Sequence, residues 1–390
     1  MNPTYADVVV IGAGPAGLVV TELLARSGMS VVVVEKQSDP AASPQGALLQ
    51  PVTLDLLRRL IGFEYSVERE GSITTVEEYG PEGRIFTGSF ADLTGSPTDQ
   101  ALNVTQGVIR KELLHSVSQQ ASVTVLTETE VKRVDHSAVG NCRTAVGRVG
   151  GAGADFVLDS GWVIAADGKQ SSTRALTGID VQLHEPDHAL SLVAVRTPEG
   201  YPRTIRAHRR ADGMATTVPG ASPGLTFAFT HLHDREATPE QIVEWAVQTT
   251  AADDLVLSEA LRTGASPDRI IRIQPQTVSA SAWRQDGLLL LGDSAHGMLN
   301  IGGQGVNTSI QDAILLADAI CRHRDDGKTD WVDDFVNVRR PFIDAFQSAQ
   351  LSLGNAFWAA DADSWFLGRF EELSLGQPEL RQRWLKVIEN

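Results

Sequence analysis

The chain has 390 residues, 33 of them Lys or Arg and 49 Asp or Glu, for a formal net charge of −16. At roughly 150 residues per domain this length predicts about two to three domains, with enough core to need no disulfide or structural metal. So acidic a chain lacks the basic surface that neutralises nucleic-acid phosphates or docks on anionic lipid, which argues against both partners.

Cys142 and Cys321 are the only cysteines, far apart and with no ligand-spaced thiol or histidine beside them. Neither a disulfide framework nor a metal site is expected. The apolar runs fall short of the roughly 18 residues that span a bilayer, and the N-terminus lacks the features of a signal peptide. The expectation is a soluble, cytoplasmic protein.

Residues 7–11 (DVVVI) predict a buried strand. The cluster Gly12-Ala13-Gly14-Pro15-Ala16-Gly17 follows, then LVVTELLARSG with apolar residues at helical spacing, then a second strand over 30–34 that ends on Glu35. Strand, glycine turn, helix and strand make a βαβ unit with a parallel pair, and its continuous apolar strands require cover on both faces. A helix is predicted over 51–62, stopping at Gly62, and two strands over 72–90 around Pro81-Glu82-Gly83. A helix over 106–120 and one strand over 122–134 resume the mixed pattern, and the glycine-rich stretch 140–154 reads as a hairpin tip. From 181 to 280 the segments are strand-like, with one helix beginning at Pro239. Together with 72–90 they predict an antiparallel second domain inserted into the first. The strand GLLLLGD (287–293), another glycine cluster and a helix over 305–322 return to the α/β texture, and 331–390 reads as mostly helical.

The first glycine motif is Gly12-x-Gly14-x-x-Gly17. Its glycines permit a tight turn, close approach of backbone to a pyrophosphate and close helix–strand packing, while the helix start offers free N–H groups and partial positive charge. Glu35, eighteen residues past Gly17, is placed to accept from a ribose diol. Dinucleotide binding is therefore expected. Two further motifs follow: Asp167-Gly168 with Ser171 and Arg174, and Gly292-Asp293-Ser294-Ala295-His296 with Gly303-Gln304-Gly305 and Asn307. A buried strand delivers Asp293 to its carboxyl end, where open α/β sheets bind ligands; there it serves either as a ligand to hydroxyl groups or as an ordinary helix cap.

With these three motifs in this order, residues 6 to about 322 resemble the FAD-dependent aromatic hydroxylases, the single-component flavoprotein monooxygenases typified by para-hydroxybenzoate hydroxylase. The resemblance implies a doubly wound, Rossmann-like FAD domain (1–70, 100–180 and 281–330), an inserted, mostly antiparallel substrate domain (71–99 and 181–280) and a helical C-terminal segment (331–390). It implies FAD contacts from Gly12, Gly14, Ala16, Gly17, Glu35, Lys36, Gln45, Gln106, Asp167, Gly168, Asp293, Gly303, Gly305, Val306 and Asn307. Asp293 would meet the ribityl hydroxyls, and Asp167 the pyrophosphate or ribityl region. The helix starting at Gly305 would point its N–H groups at the pyrimidine edge of the flavin, an electrostatic contribution of up to about 2 kcal/mol. Gln106 reads as a flavin contact or as a helix cap, and Arg110 lies near it. Arg174 is expected to brace its loop, and for both Asp167 and Arg174 a purely structural salt bridge is the alternative.

The implied reaction is monooxygenation: NADPH or NADH reduces the flavin, dioxygen adds at flavin C4a, and the hydroperoxide hands one oxygen to an aromatic or polyketide-like substrate. The catalytic candidates are Asn300, Gly303 and Gln304 at the flavin edge. Epoxidation, Baeyer–Villiger insertion or dehydrogenation on the same scaffold, or a non-catalytic binding protein, are the rival readings. A monomer or homodimer is expected.

Two departures from the family pattern stand out. Gln45 occupies a position where an arginine is common, and Asn300 replaces a proline near the reactive edge, preceded by the bulky Met298-Leu299. The basic run Arg203, Arg206, His208, Arg209, Arg210 is either a landing strip for an anionic substrate or nicotinamide phosphate, or a solvated strand. Phe227 and Phe229 alternate on one strand and share a face, lining a pocket or the core. His184, His231 and His233 have no metal-ligand spacing, and His296 reads mainly as a packing and hydrogen-bonding residue.

Overall fold

Tyr5–Ile11 runs through the middle of an eight-stranded sheet in the computed structural model. The model describes residues 5–356 other than 44, 65–70, 91–99, 137–141, 152–154, 221–223 and 324–328, together with 386 and 388. On one side of this strand lies Val31–Val34 and beyond it Val123–Leu126; on the other lies Phe156–Ala165 and beyond it Leu288–Leu290, all parallel. The valine runs are buried on both faces, each side chain contributing roughly 1.5–3 kcal/mol. The helices Pro15–Arg26, Gln106–Ser118 and Gly305–His323 pack together over them. Because these strands are parallel, Gly12, Glu35, Ala166 and Leu291 all leave the sheet at one edge, where such folds bind ligands.

A second sheet has seven strands, in the order Ile271–Ile273, Ala189–Arg196, Leu225–Leu232, Gly213–Pro219, Thr204–Arg210, Thr75–Gly80 and Gly83–Ser89. All neighbours are antiparallel except Thr204–Arg210 beside Thr75–Gly80. Side chains alternate across it. Val193, Val195, Ala228 and Leu232 face the helices Pro239–Ala251 and Leu255–Gly264. The opposite face carries Ile205, Val218 and Phe229, packed with Leu48, and Ala207 and Met214, packed with Leu299 and Ile301. The expected α/β fold with an inserted, mostly antiparallel sheet is thus the observed one. A small sheet of Gly46–Leu49, Ala101–Thr105 and Ser72–Ile73 connects the two parts.

Three local expectations change. The single strand over 122–134 is two, Val123–Leu126 and Thr129–Asp135, because Glu128 takes a positive φ of 50° and turns the chain from a parallel partner to an antiparallel one. The helix Leu255–Gly264 follows the one at Pro239; Asp254 caps it by accepting from Leu257 N at 3.0 Å. The stretch 140–154, expected as a hairpin tip, instead contains the strand Cys142–Arg148, paired with Thr129–Asp135 and Phe156–Ala165. The expected helical C-terminal part is observed as the long helix Asp330–Ala356, while residues 357–385 lie outside the described residues. Among the described residues, no helix is long and apolar enough to cross a membrane.

Candidate active site

The three motifs meet at the sheet edge through their backbones. Gly12 has φ 103°, and a Cβ there would lie 2.5 Å from the carbonyl oxygen of Ala166, the residue before Asp167. A Cβ on Gly17 would lie 2.1 Å from Gly12 O. Leu291 N donates to Ala165 O at 2.9 Å and Ala166 N to Ile11 O at 2.8 Å, and Gly292 abuts Ala16 at the start of the first helix. Gly14 is different: a Cβ would meet nothing closer than 3.9 Å, so its open side faces the crevice. Glu35, buried, accepts from Ala13 N at 2.7 Å and Gln37 N at 2.8 Å, which fixes its carboxylate beside the glycine turn. Lys36 next to it is exposed.

Asp167 Oδ2 accepts from Thr173 N at 3.0 Å and Thr173 Oγ1 at 2.9 Å. Its Oδ1 is buried and bonded to no described residue. Asp293 opens the short helix Asp293–His296, and burial pushes its pKa above the ordinary carboxylate value, against the pull of Lys169, His296 and Arg174. Arg174 braces both motifs, donating to Ser294 O at 2.6 Å and to Lys169 O. Ser171 caps the following helix by accepting from Arg174 N at 3.1 Å. Lys169 reaches across to Met298 O, a tie that its unremarkable place after Gly168 did not signal.

The glycine loop presses against Gly46–Leu49: a Cβ on Gly303, at φ 62°, would stand 3.0 Å from two carbons of Leu48. Asn307 is fully buried and turned inward. Its Oδ1 accepts from Gln50 N at 2.9 Å, and its Nδ2 donates to Leu48 O at 2.8 Å and Gly303 O at 2.7 Å. It therefore clamps the loop to the strand with all of its amide. Gln304 is also buried and donates to Gly302 O at 3.1 Å. Gly305 and Val306, half-buried, open the helix with Asp293 Oδ1 nearby. Asn300, by contrast, is exposed.

Thr105, not Gln106, caps the helix Gln106–Ser118; Gln106 is half-buried and its side chain makes no hydrogen bond to a described residue. Gln45 is exposed and meets this helix through its backbone, accepting from Gln106 N at 2.7 Å. Arg110 donates to Gln37 Oε1 and Pro40 O at 3.2 and 3.1 Å, at the Glu35 end of the crevice.

On the second sheet four members of the basic run meet carboxylates, while Arg203 donates to Ser72 Oγ at 2.6 Å. Arg206 pairs with Glu77 at 2.8 Å and with Asp254. His208 and Arg210 meet Asp253 at 3.4 and 2.9 Å, and Arg209 meets Glu78 at 3.0 Å. Each arginine of the strand Thr204–Arg210 is thus paired with a carboxylate. Phe227 and Phe229 share their face with Leu192, Thr216 and Val218 by register, and Phe227, Phe229, Leu192 and Thr216 stay half-exposed. His231 Nδ1 lies 3.0 Å from His188 Nε2, and burial lowers their pKa values to about 3 and about 4. His296 is also buried, 2.5 Å from Asp312, which pairs with the buried Arg339.

These residues fit FAD. A side-chain-free turn at a helix start, a carboxylate beside it for a ribose, an unbonded buried oxygen on Asp167 and a carboxyl group on Asp293 suit its phosphates and hydroxyls. A doubly wound fold carrying this crevice is that of a flavin-dependent oxidoreductase. Residues 5–349 match the family model described as FAD binding domain, and the chain belongs to that family.

It is 32% identical to protoasukamycin 4-monooxygenase of Streptomyces nodosus subsp. asukaensis, over 89% of this chain and 87% of that protein. It is 30% identical to 6-methylpretetramide 4-monooxygenase of Streptomyces rimosus, over 86% of this chain and 81% of that one. Among solved structures, the fold is similar to that of PqsL from Pseudomonas aeruginosa (TM-score 0.78, 21% identity, 99% of this chain and 100% of that one). It is also similar to aklavinone-11 hydroxylase in its complex with FAD and aklavinone (TM-score 0.73, 20% identity, 98% and 73%). The chain is an FAD-dependent monooxygenase.

Proposed function

We propose that this monooxygenase consumes dioxygen with NADPH or NADH and hydroxylates an aromatic, polyketide-like molecule held between the Met298–Gly303 segment and the seven-stranded sheet. The observation that carries this reading is the half-exposed face of Leu192, Thr216, Phe227 and Phe229, which opens toward the same loops as Leu48, Leu299 and Ile301. Flat rings stack and pack well on such aromatic surfaces. In this reading 1–70, 100–180 and 281–330 form the FAD-binding domain and 71–99 with 181–280 the substrate domain.

Bound FAD supplies the redox chemistry, accepting hydride from the nicotinamide and activating dioxygen. The protein's own part is to bind, orient and dry the site. Gly12, Gly14 and Gly17 receive the pyrophosphate at the start of the first helix; Glu35 accepts from the ribose and Asp293 from the ribityl hydroxyls. The N–H groups from Gly305 onward favour negative charge at the pyrimidine edge. Gly303 and Gln304 shape that edge, and Asn300 offers its exposed amide to the substrate. The apolar sheet face excludes water from the reacting atoms.

The test is a panel of phenols and polycyclic polyketides assayed for faster oxidation of reduced nicotinamide, with product mass and isotope content followed under labelled dioxygen. One labelled oxygen gained per nicotinamide consumed supports the proposal. Stimulated oxidation that yields only dehydrogenated product, or ring-inserted oxygen, overturns hydroxylation.

A further inference from the structure

Residues 297–302 belong to no sheet, yet every carbonyl in the segment is taken. Gly297 O accepts from Val278 N at 2.8 Å and from Gln347 Nε2 at 2.9 Å, and Met298 O from Lys169 Nζ. Leu299 O and Ile301 O both accept from Gln350 Nε2, at 3.1 and 2.7 Å, while Gln350 Oε1 accepts from Leu299 N at 3.1 Å. Asn300 O accepts from Gly303 N at 3.0 Å, and Gly302 O from Gln50 and Gln304 at 3.3 and 3.1 Å. Gln347 and Gln350 lie three residues apart on Asp330–Ala356, so they share a helix face, and they are only 5% and 2% exposed.

Gln350 grips the residues on both sides of Asn300 and leaves the Asn300 side chain exposed. Asn300 has φ −72°, within the range a proline ring would impose, but without a ring to hold it there. We propose that Gln350 is the positioning residue for the flavin-edge loop, restraining Leu299–Ile301 through three hydrogen bonds so that Asn300 faces the substrate, with Gln347 and Lys169 holding the preceding residues. This rests on the reading of Met298–Asn307 as the loop along the flavin's reactive edge. The orientation of the Gln350 amide follows from its partners: its oxygen meets an N–H and its nitrogen meets two carbonyls. A carboxylate in its place would meet those carbonyls with negative charge, whereas a carboxylic acid would still donate to one of them.

The test uses holoenzyme with Gln350→Glu and Gln350→Leu, read by the visible circular dichroism of the bound flavin across pH and by substrate-free oxidation of reduced nicotinamide with release of hydrogen peroxide. Lys169 is bonded to the loop at Met298 O, and Asp293 and His296 lie on the short helix that leads into it, so the wild type is titrated alongside. The expected result for Gln350→Glu is a one-proton transition absent from the wild type, wild-type-like at low pH, with peroxide release rising several-fold at high pH. Gln350→Leu is expected to keep FAD and to show the altered spectrum at every pH. If Gln350→Leu does not fold, the two pH forms of Gln350→Glu in one folded sample make the same comparison. A flavin spectrum and peroxide rate that stay wild-type while only the melting temperature falls would overturn the proposal and leave FAD binding intact. A colourless wild type would instead overturn the flavin-edge reading itself.

Discussion

Arg174 donates from Nη1 to the carbonyl oxygen of Ser294 at 2.6 Å, across 120 residues of sequence, and so locks the loop of Asp167 to the loop of Asp293. Its other nitrogen holds Lys169 O, and the guanidinium is buried. Removal takes the donor from the buried Ser294 carbonyl and from the part-buried Lys169 carbonyl and frees both loops. Hydrogen bonds from a charged donor contribute about 1.5–3 kcal/mol each, so Arg174→Ala is expected to weaken FAD binding by at least about tenfold. Titration of the apoprotein with FAD, followed by flavin fluorescence, measures this; an unchanged affinity would remove Arg174 from the site's framework.

Gly14 and Gly17 separate cofactor binding from folding. The Cβ of Gly17→Ala would collide with the backbone at Gly12 O, whereas that of Gly14→Ala would enter open space. Gly14 has φ −73°, which any residue adopts. Gly14→Val should therefore fold with a near wild-type melting temperature but purify colourless, and Gly17→Ala should be poorly soluble or unstable. Two equally stable, equally yellow proteins would contradict the pyrophosphate assignment.

Asp293 carries opposing demands. Its pKa is raised by burial despite Lys169, His296 and Arg174, so the folded state holds this proton more readily than the unfolded chain. The contribution to stability is then present at low pH and lost as pH rises through the folded pKa. Asp293→Asn should melt higher than the wild type as apoprotein at neutral pH, yet bind FAD at least roughly tenfold more weakly for want of a charge-assisted acceptor. Melting curves of apoprotein and FAD titrations, run on both proteins, give the two signs independently.

His188 and His231 predict acid sensitivity. Their folded pKa values, lowered by burial to about 4 and about 3, lie below the ordinary 6.5. Below pH 6.5 the unfolded chain takes up protons that the folded one refuses, so stability falls with pH until those lower values are reached. Each histidine removes about 1.4 kcal/mol per pH unit across that window. His231→Leu should flatten the decline measured by urea unfolding between neutral and acid pH; a slope equal to that of the wild type would show that the pair is not what titrates.

Arg206 tests the basic strand. Its guanidinium, partly buried, is held by Glu77 and Asp254, and removing it leaves both carboxylates without their partner. Arg206→Ala should therefore lower stability substantially while leaving the KM for NADPH unchanged. A selective rise in that KM would restore the strand as an anion site.

Much of this molecule was legible because its signals are local. The strand of residues 7–11, the turn at Gly12–Gly17 and the acid at 35 state backbone and hydrogen-bonding requirements within about thirty residues, the span of one βαβ unit. Glu128 and the Asp254-capped helix carry no such local signal, the first because one bent residue interrupts an otherwise continuous strand pattern, the second because a cap within an acidic pair resembles a loop.

By itself the sequence determined the cofactor fold, the order of its motifs and the residues at the sheet edge, since each follows from what a short stretch of chain permits. Only the tertiary structure decided that the arginines of strand Thr204–Arg210 are consumed by Glu77, Glu78, Asp253 and Asp254. It also decided that Asn307 turns inward and that Gln350 reaches back some fifty residues to grip Leu299 and Ile301. Such pairings join segments that packing brings together, and a buried polar group takes whichever partner the fold sets beside it.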